Sequence, residues 1–336
     1  MYKFLFKSTF FILPFIILYI WNVCMYDVNG NDLIRLGYIP DFYLNTKRKL
    51  FESNELKKYY DDFYHDKLKD EYDILVLGDS FSEGNASFTN KIAKHKKVLQ
   101  IDASEVYNPI QRLVCLINSD FFEKIKVKNI ILESVERSVI ERSIELNFKK
   151  NFFKCNFNVK ISNTKPIHRF FSSQSLLFGY NSLKFLLKSN AKFNESVLMF
   201  GLNRTFFTHL KSRTLLTLAD DVNFLKLNNS KSNSLKLNNQ LNFIHEKLLE
   251  RNSRLFFLVC PDKYDLYYDY INHRNLVKPV FFDHLISCNK KYYFINSKRI
   301  LSKELKKGNK DLYFYDDTHW SSKSVKIISD SILKIL

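Results

Sequence analysis

The chain is 336 residues long, 46% hydrophobic and 16% aromatic, with only 7 Gly and 6 Pro, which excludes collagen-like and broadly disordered chains and leaves room for one large core in one or two domains. Its formal net charge of +17 raises nucleic acid as a partner, yet no zinc-finger spacing, basic zipper or RNA-binding signature accompanies the charge. The excess is concentrated in residues 144–240, with fifteen Lys or Arg against four Asp or Glu; that segment is either a face for an anionic polymer or membrane surface, or a solvated surface of a Lys- and Asn-rich chain.

Lys3 and Lys7 precede an uncharged run, STFFILPFIILYIWNVCM (8–25), and Asp27 and Asp32 follow it. Such a run is just long enough to cross a bilayer as a helix. Tyr19 and Trp21 suit its outer interface, and Pro14 kinks a span without forbidding it. A buried soluble helix is the alternative, and the flanking charges speak against it. The cations place the amino end in the cytoplasm and everything after about residue 30 outside. No small-x-small cleavage site follows, and Trp-Asn-Val before Cys24 makes no lipoprotein box. Residues 1–26 therefore read as an uncleaved signal-anchor transmembrane helix. The chain is expected to be single-pass in a bacterial cytoplasmic membrane, its main domain on the periplasmic or extracellular side, where nucleic acid is no partner.

Residues 27–70 are charged and Tyr-rich and read as a stem. From about residue 71 to 336, short apolar runs alternate with helical patterns. DILVLG (73–78), KVLQID (97–102), KNIILES (128–134), RLFFLVC (254–260) and KYYFIN (291–296) are the expected strands. Helix-like stretches lie at 110–125, at about 236–252 and from Ser322 onward. Buried apolar strands separated by amphipathic helices indicate an α/β fold with a parallel sheet covered on both faces, whose sites form beyond the carboxyl ends of the strands. Residues 138–235 break the alternation with aromatic, basic sequence and read as an insertion. Of the cysteines, Cys24 lies in the anchor and Cys115 and Cys260 sit in apolar runs, where packing explains them; a Cys155–Cys288 bridge stays open.

Two places offer chemistry. In YDILVLGDSFS (72–82), Gly-Asp-Ser follows the first strand. It reads either as ordinary turn chemistry or as a nucleophile, Ser80, held up at the sheet edge. A serine hydroxyl needs a base to take its proton, usually a histidine oriented by a carboxylate. Of 8 histidines, seven have unremarkable settings. The eighth is in YFYDDTHWSSKSVKIISDSIL (313–333), where Asp316, Asp317 and His319 crowd one turn and Trp320 is placed to wall it from water. The alternative is a helix start with Asp317 or Ser321 as cap. No histidine has metal-ligand spacing, so neither metal nor cofactor is expected.

GDSFS and the terminal D-x-x-H resemble the first and last blocks of the SGNH (GDSL-type) hydrolase superfamily, a three-layer α/β/α fold of flavodoxin-like type. DDTHW is closer to the Asp-Thr-His-Trp block of the membrane-associated alginate O-acetyltransferase family and its polysaccharide-acetylating relatives. LESVERS (132–138) is similar to that group's Glu-x-x-x-Arg segment, and CPDKYDLYYDYI (260–271) to its Pro-x-Lys-x-x-x-Tyr segment. The resemblance covers about residues 30–336 and leaves 138–235 unmatched. It implies Ser80 as nucleophile and His319 as general base. The superfamily spacing picks Asp316 as the acid and the O-acetyltransferase pattern picks Asp317, which is preferred. The superfamily's glycine block and Gly-x-Asn-Asp block are missing. The Ser80 N–H is left as one oxyanion donor, with Ser104, Asn108 or Arg137 as candidates for the second. Lys263 and Tyr267 are candidate substrate residues. The resemblance implies transfer of an acyl group, most simply acetyl, to hydroxyls of a cell-surface polysaccharide, with a multi-pass membrane acyltransferase as acetyl-supplying partner. An esterase of the same fold, or a non-catalytic glycan-binding assembly subunit, are the alternatives.

Overall fold

The computed structural model describes residues 2–25, 32–36, 55, 57–102, 108–144, 196–208, 213–272 and 275–336. Six strands form one sheet: β1 (Asp61–Asp62), β2 (Glu71–Gly78), β3 (Val98–Asp102), β4 (Lys126–Val135), β7 (Arg254–Cys260) and β8 (Tyr293–Ile295), in the order β1-β3-β2-β4-β7-β8. Every pairing in it is parallel. Two further strands, β5 (Val197–Gly201) and β6 (Thr214–Leu218), make a separate antiparallel hairpin. In chain order the helices are α1 (Tyr2–Met25), α2 (Asp32–Arg35), α3 (Phe88–Ala93), α4 (Pro109–Ile117), α5 (Phe121–Lys124), α6 (Glu136–Ile144), α7 (Asp220–Asn223), α8 (Leu225–Asn228), α9 (Lys231–Leu249), α10 (Lys263–Tyr267), α11 (Phe281–Ser287), α12 (Ser297–Lys306) and α13 (Ser322–Leu333).

The central strands bury both faces. On one side Ile74, Val76, Ile131, Phe256 and Leu258 pack with Phe88 and Ile92 of α3, Leu301 and Leu305 of α12 and Ile328 of α13. On the other, Leu75, Leu77, Leu132, Phe257 and Val259 pack with Leu113 of α4, Leu241 and Ile244 of α9 and Phe281 of α11. This alternation is the period-two consequence of a pleated strand, and it makes three layers. Each such buried Leu or Phe contributes about 1.5–3 kcal/mol by leaving water. Helix starts are set locally: Ser87 Oγ accepts from Asn90 N at 3.1 Å and Asn108 Oδ1 from Gln111 N at 2.9 Å, with Pro109 at the first turn of α4.

With the two-residue edge strand β1 set aside, the sheet runs second-first-third-fourth-fifth in chain order, a doubly wound arrangement. The helix after β2 lies on one face and the helix after β3 on the other. The carboxyl ends of β2 and β4 therefore flank the switch point where such sheets form their sites. Both ends are tied together. Glu133 of β4 accepts the Asp79 amide at 2.8 Å, and a Cβ on Gly78 would stand 2.4 Å from Glu133 Oε2 and 2.5 Å from Ser82 Oγ. Gly78 is glycine because the neighbouring strand's carboxyl group occupies the space.

Several expectations need amendment. The stretch read as stem is partly built into the domain: Asp61 and Asp62 pair with Leu99 and Gln100, and Leu33 of α2 is fully buried. A short charged strand is a common way to finish a sheet edge. Cys288 is a free thiol, so it forms no bridge with Cys155. Cys115, assigned to packing, is disulfide-bonded; Cys260 is free and buried, in the apolar β7. The N-terminal segment is helical over Tyr2–Met25 with Pro14 inside it. Among the described residues no helix is long and apolar enough to cross a membrane; beyond Lys7 the described side chains of α1 run from Ser8 to Ile20. Residues 145–195, about half of the expected insertion, and residues 209–212 lie outside the described residues. Its remainder holds the hairpin, α7 and α8.

Gly78→Ala is expected to lower stability by about 1–3 kcal/mol through overpacking, read as a shift in denaturant midpoint at unchanged slope. A variant as stable as the parent would mean that the Glu133 carboxyl is not fixed against Gly78.

Candidate active site

Ser80 lies on the turn that leaves β2. It is exposed, while Asp79, Phe81 and Ser82 on either side are buried. The turn closes on itself through Ser82 N to Asp79 O at 2.8 Å and Phe81 N to Asp79 Oδ1 at 3.3 Å. Asp79 Oδ2 accepts from Arg142 Nη1 at 2.7 Å and from Val135 N at 3.3 Å. Burial alone would raise the Asp79 pKa; the Arg142 guanidinium reverses this and holds it below the usual value, so the pair is ionic. Glu133, buried and beside the Asp79 carboxylate, is pushed well up by burial and by that neighbouring charge.

The second half comes from the loop before α13. His319 Nε2 is 2.6 Å from Ser80 Oγ, and His319 Nδ1 is 2.7 Å from Asp317 Oδ1. Asp317 Oδ1 also accepts the His319 backbone N–H at 3.1 Å, so one carboxylate fixes the loop and the ring together. Asp316 is not on the imidazole; its carboxylate acts electrostatically on Lys263, and its carbonyl accepts from Leu33 N at 3.3 Å. Phe81 lies against the imidazole with ring centroids 4.7 Å apart, and Trp320 packs behind Phe81 at 5.1 Å. The wall next to His319 is therefore Phe81, and Trp320 supports it.

A residue with no sequence signal joins them. Asp32 Oδ2, from α2, lies 3.2 Å from His319 Nδ1 and accepts from Thr318 Oγ1 at 2.6 Å. Burial disfavours the imidazolium, but the hydrogen bonds to Asp317 and Asp32 outweigh it and raise the His319 pKa to about 10. At neutral pH the ring is doubly protonated, its Nε2–H donating to Ser80 Oγ. Asp32, Asp317 and His319 bring ligand-type atoms within 4.8 Å of one another. Hydrogen bonds already account for that convergence, and we assign no metal to it.

The remaining sequence candidates lie in supporting positions. Lys263 is 1% exposed, and its Nζ donates to the carbonyls of Phe314, Tyr315 and Asp317 at 2.9, 2.7 and 3.0 Å. Burial brings its pKa down to about 8 despite the nearby Asp316 and Asp317. It clamps the loop that carries His319 and is not open to a substrate. Tyr267 is fully buried among Phe206, Phe207 and Tyr313. Arg137 Nη1 pairs with Asp262 at 3.0 Å and Asp221 at 3.5 Å. Asn108 caps α4 and donates from Nδ2 to Arg142 O at 3.3 Å. Ser104 lies outside the described residues. Arg142, which holds the nucleophile's turn, sits five residues beyond the arginine that the Glu-x-x-x-Arg pattern selects.

A nucleophilic oxygen, a base on it and a carboxylate on the base make a relay suited to acyl transfer. No family model, no curated protein and no solved structure matches the chain.

The raised His319 pKa sets a sign. Only the neutral ring can accept the Ser80 proton, so turnover of an activated ester is expected to climb about tenfold per pH unit below the base's pKa and to level off near pH 10. A profile already flat from pH 6 to 8 would mean that the carboxylates do not hold the proton on His319.

Proposed function

We propose that the protein is an extracytoplasmic, membrane-anchored O-acyltransferase of SGNH type that moves an acyl group, most simply acetyl, onto hydroxyls of a cell-surface or exported polysaccharide. The observation that carries the reading is the relay of Ser80, His319 and Asp317, at 2.6 and 2.7 Å, with only the serine exposed on its turn. The three-layer sheet with the nucleophile just past its first long strand supports the SGNH assignment, as do the ordered sequence blocks.

In this reading Ser80 Oγ attacks the acyl carbonyl carbon as neutral His319 takes its proton at Nε2. The tetrahedral intermediate collapses, the donor's oxygen leaves with the proton returned by His319, and an acyl-serine remains. A sugar hydroxyl then gives its proton to His319 and attacks the acyl-serine, and the second intermediate collapses to the new ester as His319 returns that proton to Ser80 Oγ. Asp317 keeps Nδ1 protonated and stabilises the imidazolium at each step. The oxyanion of either intermediate forms beside the Ser80 amide, and each missing donor there costs about 10²–10³ in rate.

Three features support the cellular setting. The Cys115 disulfide fits an oxidising compartment. Along α1, Phe10, Phe11, Phe15 and Ile17 are more than half exposed, as lipid-facing side chains are. Six residues separate Met25 at the end of α1 from Asp32 at His319, and at most about 3.6 Å per residue keeps the site within about 25 Å of the anchor's end. A site so tethered suits an acyl donor delivered by a membrane partner, here a multi-pass acyltransferase. The hairpin of the basic segment reaches the catalytic loop: Thr214 Oγ1 is 3.0 Å from the Tyr315 hydroxyl and Phe207 packs on Tyr315 at 5.2 Å. That contact with the loop that carries His319 supports the basic segment as the part of the chain that would meet an acceptor polymer.

Full-length protein given a chromogenic acetyl ester and polysaccharide fragments is expected to put acetyl on sugar, read by mass spectrometry. Ser80→Ala is expected to lose about 10³-fold or more of it with the fold intact. Acetate release with unmodified fragments across acidic and neutral polymers would make the protein an esterase. No turnover of any ester by the parent would leave the fold to a binding role.

A further inference from the structure

Asp32 belongs to the N-terminal stem, yet it sits in the active site. Its helix α2 is held by the buried Leu33, by Leu33 N donating to Asp316 O at 3.3 Å, and by Thr318 Oγ1 donating to Asp32 Oδ2 at 2.6 Å. Those contacts bring Asp32 Oδ2 to 3.2 Å from His319 Nδ1, while Asp317 Oδ1 holds the same nitrogen at 2.7 Å. A nitrogen with one hydrogen faces two carboxylates from two directions, one of them from the segment that follows α1.

We infer that Asp32 is a positioning residue for His319: a second carboxylate, brought by the stem and held by Thr318, that fixes the ring toward Ser80 and stabilises its protonated form. This rests on the reading of Ser80 and His319 as the acyl-transfer pair. A Ser-His-Asp relay needs one carboxylate to orient the base. A second makes the base stronger, which favours the imidazolium formed as Ser80 attacks, and it keeps the resting ring protonated to higher pH. An enzyme whose stem is docked thus trades activity at low pH for a stronger base above the ring's midpoint.

The other groups around His319 do not duplicate this. Ser80 Oγ meets Nε2, and Phe81 offers an aromatic face. Glu83 feels the ring's charge but is itself raised to about 8 by burial and by its bond to Asp102, so it is mostly neutral at pH 7. Lys263 acts on the Asp317 side, through the Asp317 carbonyl, with Asp316 acting on Lys263. Among these groups, Asp32 and Asp317 are the carboxylates that hydrogen-bond the ring.

The test uses full-length protein in detergent with ¹⁵N-labelled histidine, the His319 signals being identified by their loss in His319→Gln. The imidazole is titrated in the parent, Asp32→Asn, Asp32→Glu and Thr318→Val, and ester turnover is followed over the same pH range. Asp32→Asn is expected to lower the His319 midpoint by about 1–3 units and to move the acid limb of turnover down by the same amount. It should lose rate above the parent's midpoint. Asp32→Glu is expected to recover most of the shift, and Thr318→Val, which frees Asp32 from its anchor, to give a smaller shift of the same sign. A midpoint unmoved in a folded Asp32→Asn, or a turnover loss equal at every pH, overturns the inference. If the midpoint falls but the parent turns over no ester at any pH, the Asp32–His319 coupling stands and the acyl-transfer reading fails.

Discussion

The 2.6 Å contact between Ser80 Oγ and His319 Nε2 joins two loops that are 239 residues apart in the chain. Neither loop belongs to a long strand or helix at the point of contact, and backbone hydrogen bonds close each loop on itself, Ser82 N to Asp79 O at 2.8 Å and Phe314 N to His319 O at 3.2 Å. A buried charge then ties each loop to the rest of the domain. Under the serine, the Asp79 carboxylate takes Arg142 and two backbone amides. Behind the histidine, the Lys263 ammonium takes three carbonyls of residues 314–317. Charge-assisted bonds of this sort are about twice as strong as neutral ones and become stronger as water is excluded. The sheet's part is to supply two fixed ends: β2, from which the serine turn leaves, and β7, which leads into the helix that carries Lys263.

The same economy of charge runs along the carboxyl edge of the sheet. Glu133, Asp79 and Cys260 share one buried pocket, in which Glu133 and Cys260 are pushed up and Asp79 is kept ionic. Next to it, Asp262 and Asp221 share Arg137, and Asp265 pairs with Lys298. Breaking one partner of such a pair costs about 3–5 kcal/mol because the other charge stays buried. The middle sequence blocks, LESVERS and CPDKYDLYYDYI, are mainly this scaffold: their charged residues place the reactive groups and do not themselves touch Ser80 in the contacts described.

The strands were legible because buried parallel strands are continuous apolar runs. DILVLG and RLFFLVC differ from β2 and β7 by two residues and none, respectively. Ser80, His319 and Asp317 were legible because a turn after a strand and an acid two residues before a histidine are local patterns. Asp32 was not: its role depends on a contact with a loop 286 residues further along the chain, and in sequence it is only one acid beyond an apolar run. Lys263 was misplaced for the opposite reason. A lysine in a loop is usually solvated, and only the three carbonyls around it show that it is a clamp. Arg142 and Arg137 stand on one short helix with four residues between them, and sequence spacing could not say which would reach Asp79.

The central claim is that Ser80 is a nucleophile activated by His319. The most direct measurement is covalent: full-length protein is exposed to a fluorophosphonate, which forms a phosphonyl ester with an activated serine and loses fluoride, and the modified peptide is mapped by mass spectrometry. The account predicts one adduct per chain, on Ser80, forming faster as pH rises toward about 10 and absent in His319→Ala. An unmodified Ser80, or modification at a rate that ignores both pH and His319, would contradict it.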